Sequence, residues 1–248
     1  MSWVTEAFGR WYLTVYPHRD GAEAERLVRT LDGIVRLAGT RLLDVGCGPG
    51  RHLPAFVRAG ARPVGVDLSA DLLREAARVR AAAAGTWPLA RADMRALPVA
   101  TGAMHVVTSL FTSFGYFREE EDARVLAEAA RVLRPEGYHV LDFLNRERVL
   151  RHPSPRTGHR TGEWEIREER RIEGDRRVVK RVVVRPAAGG PAVADYEERV
   201  TLYPPSELRA LLEAHGLRPL HECGEYDGSP FDPARSSRFL IVSRREAR

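Results

Sequence analysis

The chain has 248 residues, 44% of them hydrophobic, which is enough to bury a substantial core as one domain or as a domain with a large insert. No apolar run approaches the roughly 18 residues of a membrane span, and Met1 to Asp20 has no signal-peptide core, so a soluble, cytoplasmic protein with no membrane partner is expected. The net charge is +5, yet 38 of the 39 basic residues are arginine, Asn145 is the sole asparagine and glutamine is absent, so the basicity reads as compositional bias before it reads as a nucleic-acid footprint.

Val4, Phe8, Trp11, Tyr12 and Val15 have helical spacing. Leu27, Val28, Leu31, Ile34 and Val35 repeat it before Gly39, so two helices precede the first strand. Leu42 and Leu43 then lead into Asp44-Val-Gly46-Cys-Gly48-Pro-Gly50. Glycines at alternate positions permit positive φ and leave no Cβ in the way of a ligand. Leu53, Phe56 and Val57 follow at helical spacing, with Pro54 in a tolerated first turn and Gly60 as the stop. A buried strand thus turns through glycines into a helix N-terminus. The dinucleotide fingerprint places its third glycine where this chain has Arg51. The spacing found here suits a cofactor that lies across a smooth loop and has no phosphate to bind.

Arg62 to Asp67 is a short apolar strand ending in an acid, where a carboxylate can accept both hydroxyls of a ribose. Ser69 then caps a helix carrying Leu72, Leu73, Ala76 and Val79. Leu89 to Asp93 is a second strand ending in an acid, placed to accept from an adenine amine while Met94 packs on the ring. Val106 to Phe111 reads as a buried strand, Glu119 to Leu133 as a helix and Tyr138 to Leu144 as the next strand. This alternation predicts a parallel sheet with helices on both faces.

The pattern changes after Leu144. Residues Arg151 to Thr161, rich in Arg, His, Pro and Ser, read as a linker or mobile lid. Trp164 to Leu202 has alternating and β-branched runs separated by turn residues, which predicts a three-stranded antiparallel insert. Ser206 is the expected cap of a helix carrying Leu208, Leu211 and Leu212 and ended by Gly216. Two final strands lie around Leu217 to Cys223 and Arg238 to Ser243.

From Arg41 to about Asn145 the chain resembles the class I S-adenosylmethionine-dependent methyltransferases, and more loosely it does so throughout. The resemblance implies an α/β fold with a doubly wound, seven-stranded, mostly parallel Rossmann-like sheet, its last strand antiparallel, and an antiparallel β insert after the fifth strand. Residues 1–150 and 203–248 would form the cofactor-binding domain with an N-terminal helical cap. Residues 151–202 would form the insert, serving as substrate roof or dimer interface in a monomer or homodimer. The implied cofactor is S-adenosyl-L-methionine. Asp44, Gly46, Cys47, Gly48 and Gly50 would line its methionine part, with Arg51 or His52 near the carboxylate. Asp67 with Leu68 would hold the ribose, Asp93 with Met94 the adenine, and Leu110 would complete the set. Met104-His105 departs from the family, which often has an aromatic residue and an aspartate there; the position starts a strand, far from the cofactor end.

Methyl transfer needs an aligned nucleophile, exclusion of water and, where required, removal of a proton. Tyr116, Asn145 and Tyr12 are the catalytic candidates, with Thr112, Ser113 and Tyr16 also placed to face substrate. His18, Asp20 and His221 are further possible bases, whereas His139 begins its strand at the wrong end and reads as structural. Cys47 and Cys223 suggest no disulfide framework, and the sequence has no C-x2-C, H-E-x-x-H or G-x-S-x-G motif, so neither a metal site nor a hydrolase is expected. The acceptor expected is a small molecule. The alternatives are an RNA methyltransferase, a nicotinamide-dependent oxidoreductase and a non-enzymatic partner protein on the same fold.

Overall fold

The computed structural model describes residues 7–17 and 21–247. Helices α1 (Tyr12–Val15) and α2 (Gly21–Val35) precede strand β1 (Arg41–Val45). Then follow α3 (Leu53–Arg58), β2 (Arg62–Asp67), α4 (Ala70–Ala82), β3 (Leu89–Arg91), β4 (Met104–Ser109), α5 (Glu119–Val132) and β5 (Leu133–Leu144). After α6 (Arg146–Arg151) come β6 (Arg156–Thr161), β7 (Trp164–Glu173), β8 (Arg177–Pro186) and β9 (Ala194–Thr201). The chain closes through α7 (Pro205–Ala214), β10 (Leu217–Cys223) and β11 (Arg238–Arg245). Val4, assigned above to the first helix, lies outside the described residues. Among the described residues no helix is long and apolar enough to cross a membrane.

Seven strands form one sheet in the order β10-β11-β5-β4-β1-β2-β3. Strands β1 to β5 pair in parallel, and β11 runs antiparallel to both β5 and β10. Leu42 to Val45 are four consecutive buried residues, as a strand covered on both faces requires. Successive side chains go to opposite faces. Leu42 therefore joins Val106, Val140 and Leu240 under Leu27, Leu31 and Phe56 of α2 and α3. Leu43 joins Val107, Leu141 and Ile241 under Leu126, Ala129, Leu208 and Leu212 of α5 and α7. Each such side chain contributes about 1.5–3 kcal/mol by leaving water. The strand order reverses between β1 and β4, and the crevice at such a switch point is where open α/β sheets bind ligands.

The second sheet has four strands, in the order β6-β7-β8-β9, all antiparallel. This corrects the three-stranded expectation, because residues assigned to a linker or lid form edge strand β6, paired from Arg156↔Glu169 to Thr161↔Trp164. A polar edge strand buries little, so β6 lacks the apolar alternation that marks its neighbours; Gly162, at φ +57°, makes the tight turn into β7. Helix α7 also differs, starting at Pro205 with Pro204 as its cap, so Ser206 sits in the first turn. Proline tolerates that position because its missing N–H has no helical partner there. Val15 and Tyr16 pack on Ile166, Val182, Val184 and Tyr196, which holds the N-terminal segment against the second sheet. Thr201 N donates to Gly115 O at 2.8 Å and joins that sheet to the loop after β4.

Candidate active site

The three glycines after β1 have three different tasks. Gly46 (φ +70°) lies where a Cβ would come within 2.7 Å of Ser113 Cβ, so the loop is pressed against the segment after β4. Gly50 (φ +77°) would bring a Cβ to 3.0 Å from Ala76 Cβ of α4. Gly48 (φ +55°) meets nothing within 4 Å and presents bare backbone to a cleft of about 880 Å³. The loop is tied to β2: Gly46 N and Cys47 N donate to Val66 O at 2.9 and 3.0 Å, and Gly48 N donates to Asp67 Oδ2 at 2.8 Å.

The three strand-end acids all line this cleft, in different states. Asp44 is fully buried; its Oδ1 accepts from Thr108 Oγ1 at 2.8 Å, while Oδ2 has no partner among the described residues. Burial pushes its pKa up to about 7, against the Thr108 hydrogen bond. Asp67 is also raised by burial, although Oδ1 accepts from Ser69 N and Oδ2 from Gly48 N, each at 2.8 Å. Asp93 is held low by Arg95, whose Nη2 approaches Oδ2 at 2.6 Å and whose guanidinium lies 4.4 Å from the Phe117 ring centroid. Leu68, Met94, Leu110, Cys47 and Arg51 line the same cleft. Arg51 pairs with Glu23 at 2.6 Å and lies 4.2 Å from the Phe111 ring centroid. Burial drives the Cys47 thiol well up and His52 well down, leaving both uncharged.

Phe111 and Thr112 have φ of +54° and +63°, a left-handed conformation costing L-residues roughly 1–2 kcal/mol each. Asp142 holds them there. Phe111 N donates to its Oδ2 at 2.7 Å and Thr112 N to its carbonyl at 3.0 Å. Arg238 donates from Nε to Asp142 Oδ1 and from Nη2 to Thr112 Oγ1, both at 2.8 Å, and Tyr226 donates its hydroxyl to Asp142 Oδ2 at 2.6 Å. Sequence reasoning missed this set. Its one available signal was an aspartate inside the apolar run Val140–Leu144.

Of the catalytic candidates, Tyr12 and Tyr116 line the cleft, and Phe8 lies between them with ring-centroid distances of 5.9 and 5.2 Å. Thr112, Ser113 and Tyr16 line it too. Asn145 does not. Its side chain accepts from Glu147 N as the cap of α6 and donates to Pro233 O and Ser236 O at 3.1 and 2.7 Å, a buried structural role in place of the substrate-facing one expected. His139 is buried, held neutral with a pKa near 4. His221 lies on β10, away from the cleft, and His18 and Asp20 lie outside the described residues.

The opposite wall comes from the second sheet, and sequence reasoning did not name the side chains that form it. Thr157, Glu168, Arg170, Lys180 and Glu198 line it. Tyr16 donates its hydroxyl to Glu198 Oε1 at 2.6 Å; Lys180 Nζ lies 2.6 Å from Glu198 Oε2 and 3.5 Å from Glu168 Oε1. Glu168 Oε2 accepts from Thr157 Oγ1 at 2.7 Å and from Arg170 Nη2 at 2.8 Å.

A family model described as a methyltransferase domain matches residues 42–137. Over 76 residues the chain is 43% identical to the malonyl-(acyl-carrier protein) O-methyltransferase of Legionella pneumophila, a match spanning 29% of this chain and 26% of that protein. It is 28% identical over 217 residues to the cypemycin N-terminal methyltransferase of a Streptomyces species, covering 85% of each. The solved sugar N-methyltransferase of a Streptoalloteichus species superposes with a TM-score of 0.69 at 25% identity, covering 94% of this chain and 90% of that one. The chain spans about a quarter to a half of the length of the first curated relatives it matches.

Proposed function

We propose that this chain, whose residues 42–137 match a methyltransferase-domain model and whose fold is that of solved S-adenosylmethionine-dependent methyltransferases, takes S-adenosylmethionine as cofactor and moves a methyl group to a small-molecule acceptor by in-line displacement. One observation carries the reading: a single cleft has the glycine loop and strand-end acids on one side and the second sheet on the other. Its volume of about 880 Å³ lies toward the upper end of small-molecule sites, roughly 300–1,000 Å³. The residues present fit the cofactor, since Asp44 Oδ2 has no partner among the described residues and the backbone at Gly48 is open. When bound, the cofactor supplies a methyl group on a sulfonium.

In this reading Asp44 accepts from the cofactor's amino group, and Asp67 accepts from the ribose hydroxyls with the lone pairs left beside its two backbone contacts. Leu68 would sit beside Asp67 at the ribose, and Met94 with Asp93 would hold the adenine. Asp142 and Arg238 fix the turn at Phe111 and Thr112, so that Ser113 supports the glycine loop. Phe8, Tyr12 and Tyr116, under the roof of the second sheet, exclude water and confine the acceptor. The names of the relatives span O-methyl, N-terminal and sugar N-methyl transfer, and in this reading the wall contributed by the second sheet selects the acceptor.

The second sheet favours a small molecule over RNA. Its arginines alternate with carboxylates and pair with them, Arg171 with Glu197 at 2.7 Å and Arg181 with Asp195 at 2.6 Å, which breaks up a basic stripe. The test is to incubate the protein with methyl-labelled cofactor and extract separated into metabolite, RNA and protein fractions. Label entering the metabolite fraction is the expected result; label confined to RNA or protein overturns the small-molecule reading.

A further inference from the structure

Lys180 is the only lysine among 39 basic residues, and it faces the cleft from the second sheet. Its ammonium contacts the Tyr16 hydroxyl, Glu198 and Glu168. An ammonium aims three donors outward from a compact point, whereas arginine offers a planar fork, so three convergent oxygens suit lysine. The side chains of Lys180, Glu198 and Glu168 are only 12%, 12% and 9% exposed.

The inner donors of this wall, on Lys180 and Tyr16, are spent internally. The three N–H bonds of Lys180 and the Tyr16 hydroxyl are directed at the wall's own oxygens. What remains for a ligand is acceptor capacity, because an ionised carboxylate offers about four lone-pair sites. Glu168 Oε1 has only the 3.5 Å contact with Lys180 among the described residues. The inner set of two carboxylates and one ammonium also carries one surplus negative charge. Arg170, which offsets that charge, bonds Glu168 at Oε2, 2.8 Å away, and leaves Oε1 with the Lys180 contact. Phe8, Tyr12 and Tyr116 line the same cleft, with the Tyr12 ring centroid 5.0 Å from that of Tyr16, and add ring faces that attract cations.

We propose that Glu168 and Glu198, positioned by Lys180 and Tyr16, form the acceptor subsite and take the amino group of an amine-bearing small molecule. The assignment rests on the methyltransferase reading above. A hydroxyl group in the same place gains the hydrogen bond without the charge, and a carboxylate meets repulsion.

Calorimetry on the full chain saturated with S-adenosylhomocysteine tests this with phenethylamine, 2-phenylethanol and phenylacetate, three probes of one shape and different charge. Phenethylamine is expected to bind at least about tenfold more tightly than the alcohol, with the acid weaker still. Glu168→Gln and Glu198→Gln should each reduce that preference to below about threefold while S-adenosylhomocysteine affinity stays within about threefold of wild type. Alcohol or acid binding as tightly as the amine, no amine binding in the millimolar range, or a preference that survives both substitutions overturns the subsite. The comparison of probes on the wild-type protein holds whether or not either variant folds. Failure of S-adenosylhomocysteine itself to bind overturns the methyltransferase reading and the subsite with it; loss of amine discrimination alone overturns only the subsite.

Discussion

Cofactor affinity should depend on pH through Asp44. The carboxyl is wholly buried, one oxygen is satisfied by Thr108, the other has no partner among the described residues, and burial lifts its pKa to about 7. Seating a cofactor ammonium against Oδ2 favours the ionised form, so binding must expel a proton from whatever fraction is protonated. Below about pH 7 each pH unit then weakens affinity about tenfold, and at about pH 5 the loss reaches about 100-fold, roughly 2.7 kcal/mol. S-adenosylhomocysteine is a suitable probe because its amino group stays protonated throughout this range. Calorimetry from about pH 5 to about pH 8 should give this slope, and at about pH 7 about half a proton should be released per ligand bound, read from buffers of different ionisation enthalpy. Asp67 is also raised and adds its own share. Asp44→Asn separates the two and should remove most of the dependence. A wild-type affinity constant within about threefold across the range, with no proton exchanged, would refute the argument.

Asp67→Ala should weaken S-adenosylhomocysteine binding by about 1.5–3 kcal/mol, the usual scale for hydrogen bonds to a charged partner. Unchanged affinity, or preferential binding of NAD by the wild type, would contradict the assignment of this acid. Gly46→Ala and Gly48→Ala should part company: the first drives a Cβ into Ser113 and lowers the urea midpoint, whereas the second costs about 1 kcal/mol of backbone strain and mainly weakens cofactor binding. Equal losses of stability in both would show that Gly48 does not face open space. His139 has its pKa depressed by burial from 6.5 to about 4, so the unfolded chain takes up the proton first. Its contribution to stability is present above about pH 6.5 and falls away toward about pH 4, by at most roughly 3 kcal/mol. Asp44, with a raised pKa, works the other way over that interval, so urea unfolding of His139→Leu should show a flatter acid-side decline than wild type.

The main sheet and the glycine-loop side of the cleft were legible from local order. Strand, glycine loop and helix lie within Arg41 to Arg58, and the acids at Asp67 and Asp93 end strands whose apolar runs are contiguous, so side-chain period and glycine spacing carry the information. Strand β6 was not legible, because a polar edge strand has no hydrophobic period to read. Asn145 misled for a related reason. Its position at the end of β5 was right, but whether its amide faces the cleft or the 233–236 segment is decided by a loop some ninety residues later.

Only the tertiary structure assembled the acceptor wall. Tyr16 and Glu198 are 182 positions apart, and Lys180 meets Glu198 because the register of β8 with β9 pairs Lys180 with Glu198. Alternation announces that β7 and β8 have two faces, yet both faces carry charge, and nothing local says which will close over a cleft. The same holds for Arg238 reaching Asp142 and the turn at Thr112, 96 and 126 positions away. Local sequence determines what a segment can form, through backbone propensity and side-chain period. Which polar groups lose their water together depends on how distant segments pack, and here that packing decides which carboxylates face an acceptor.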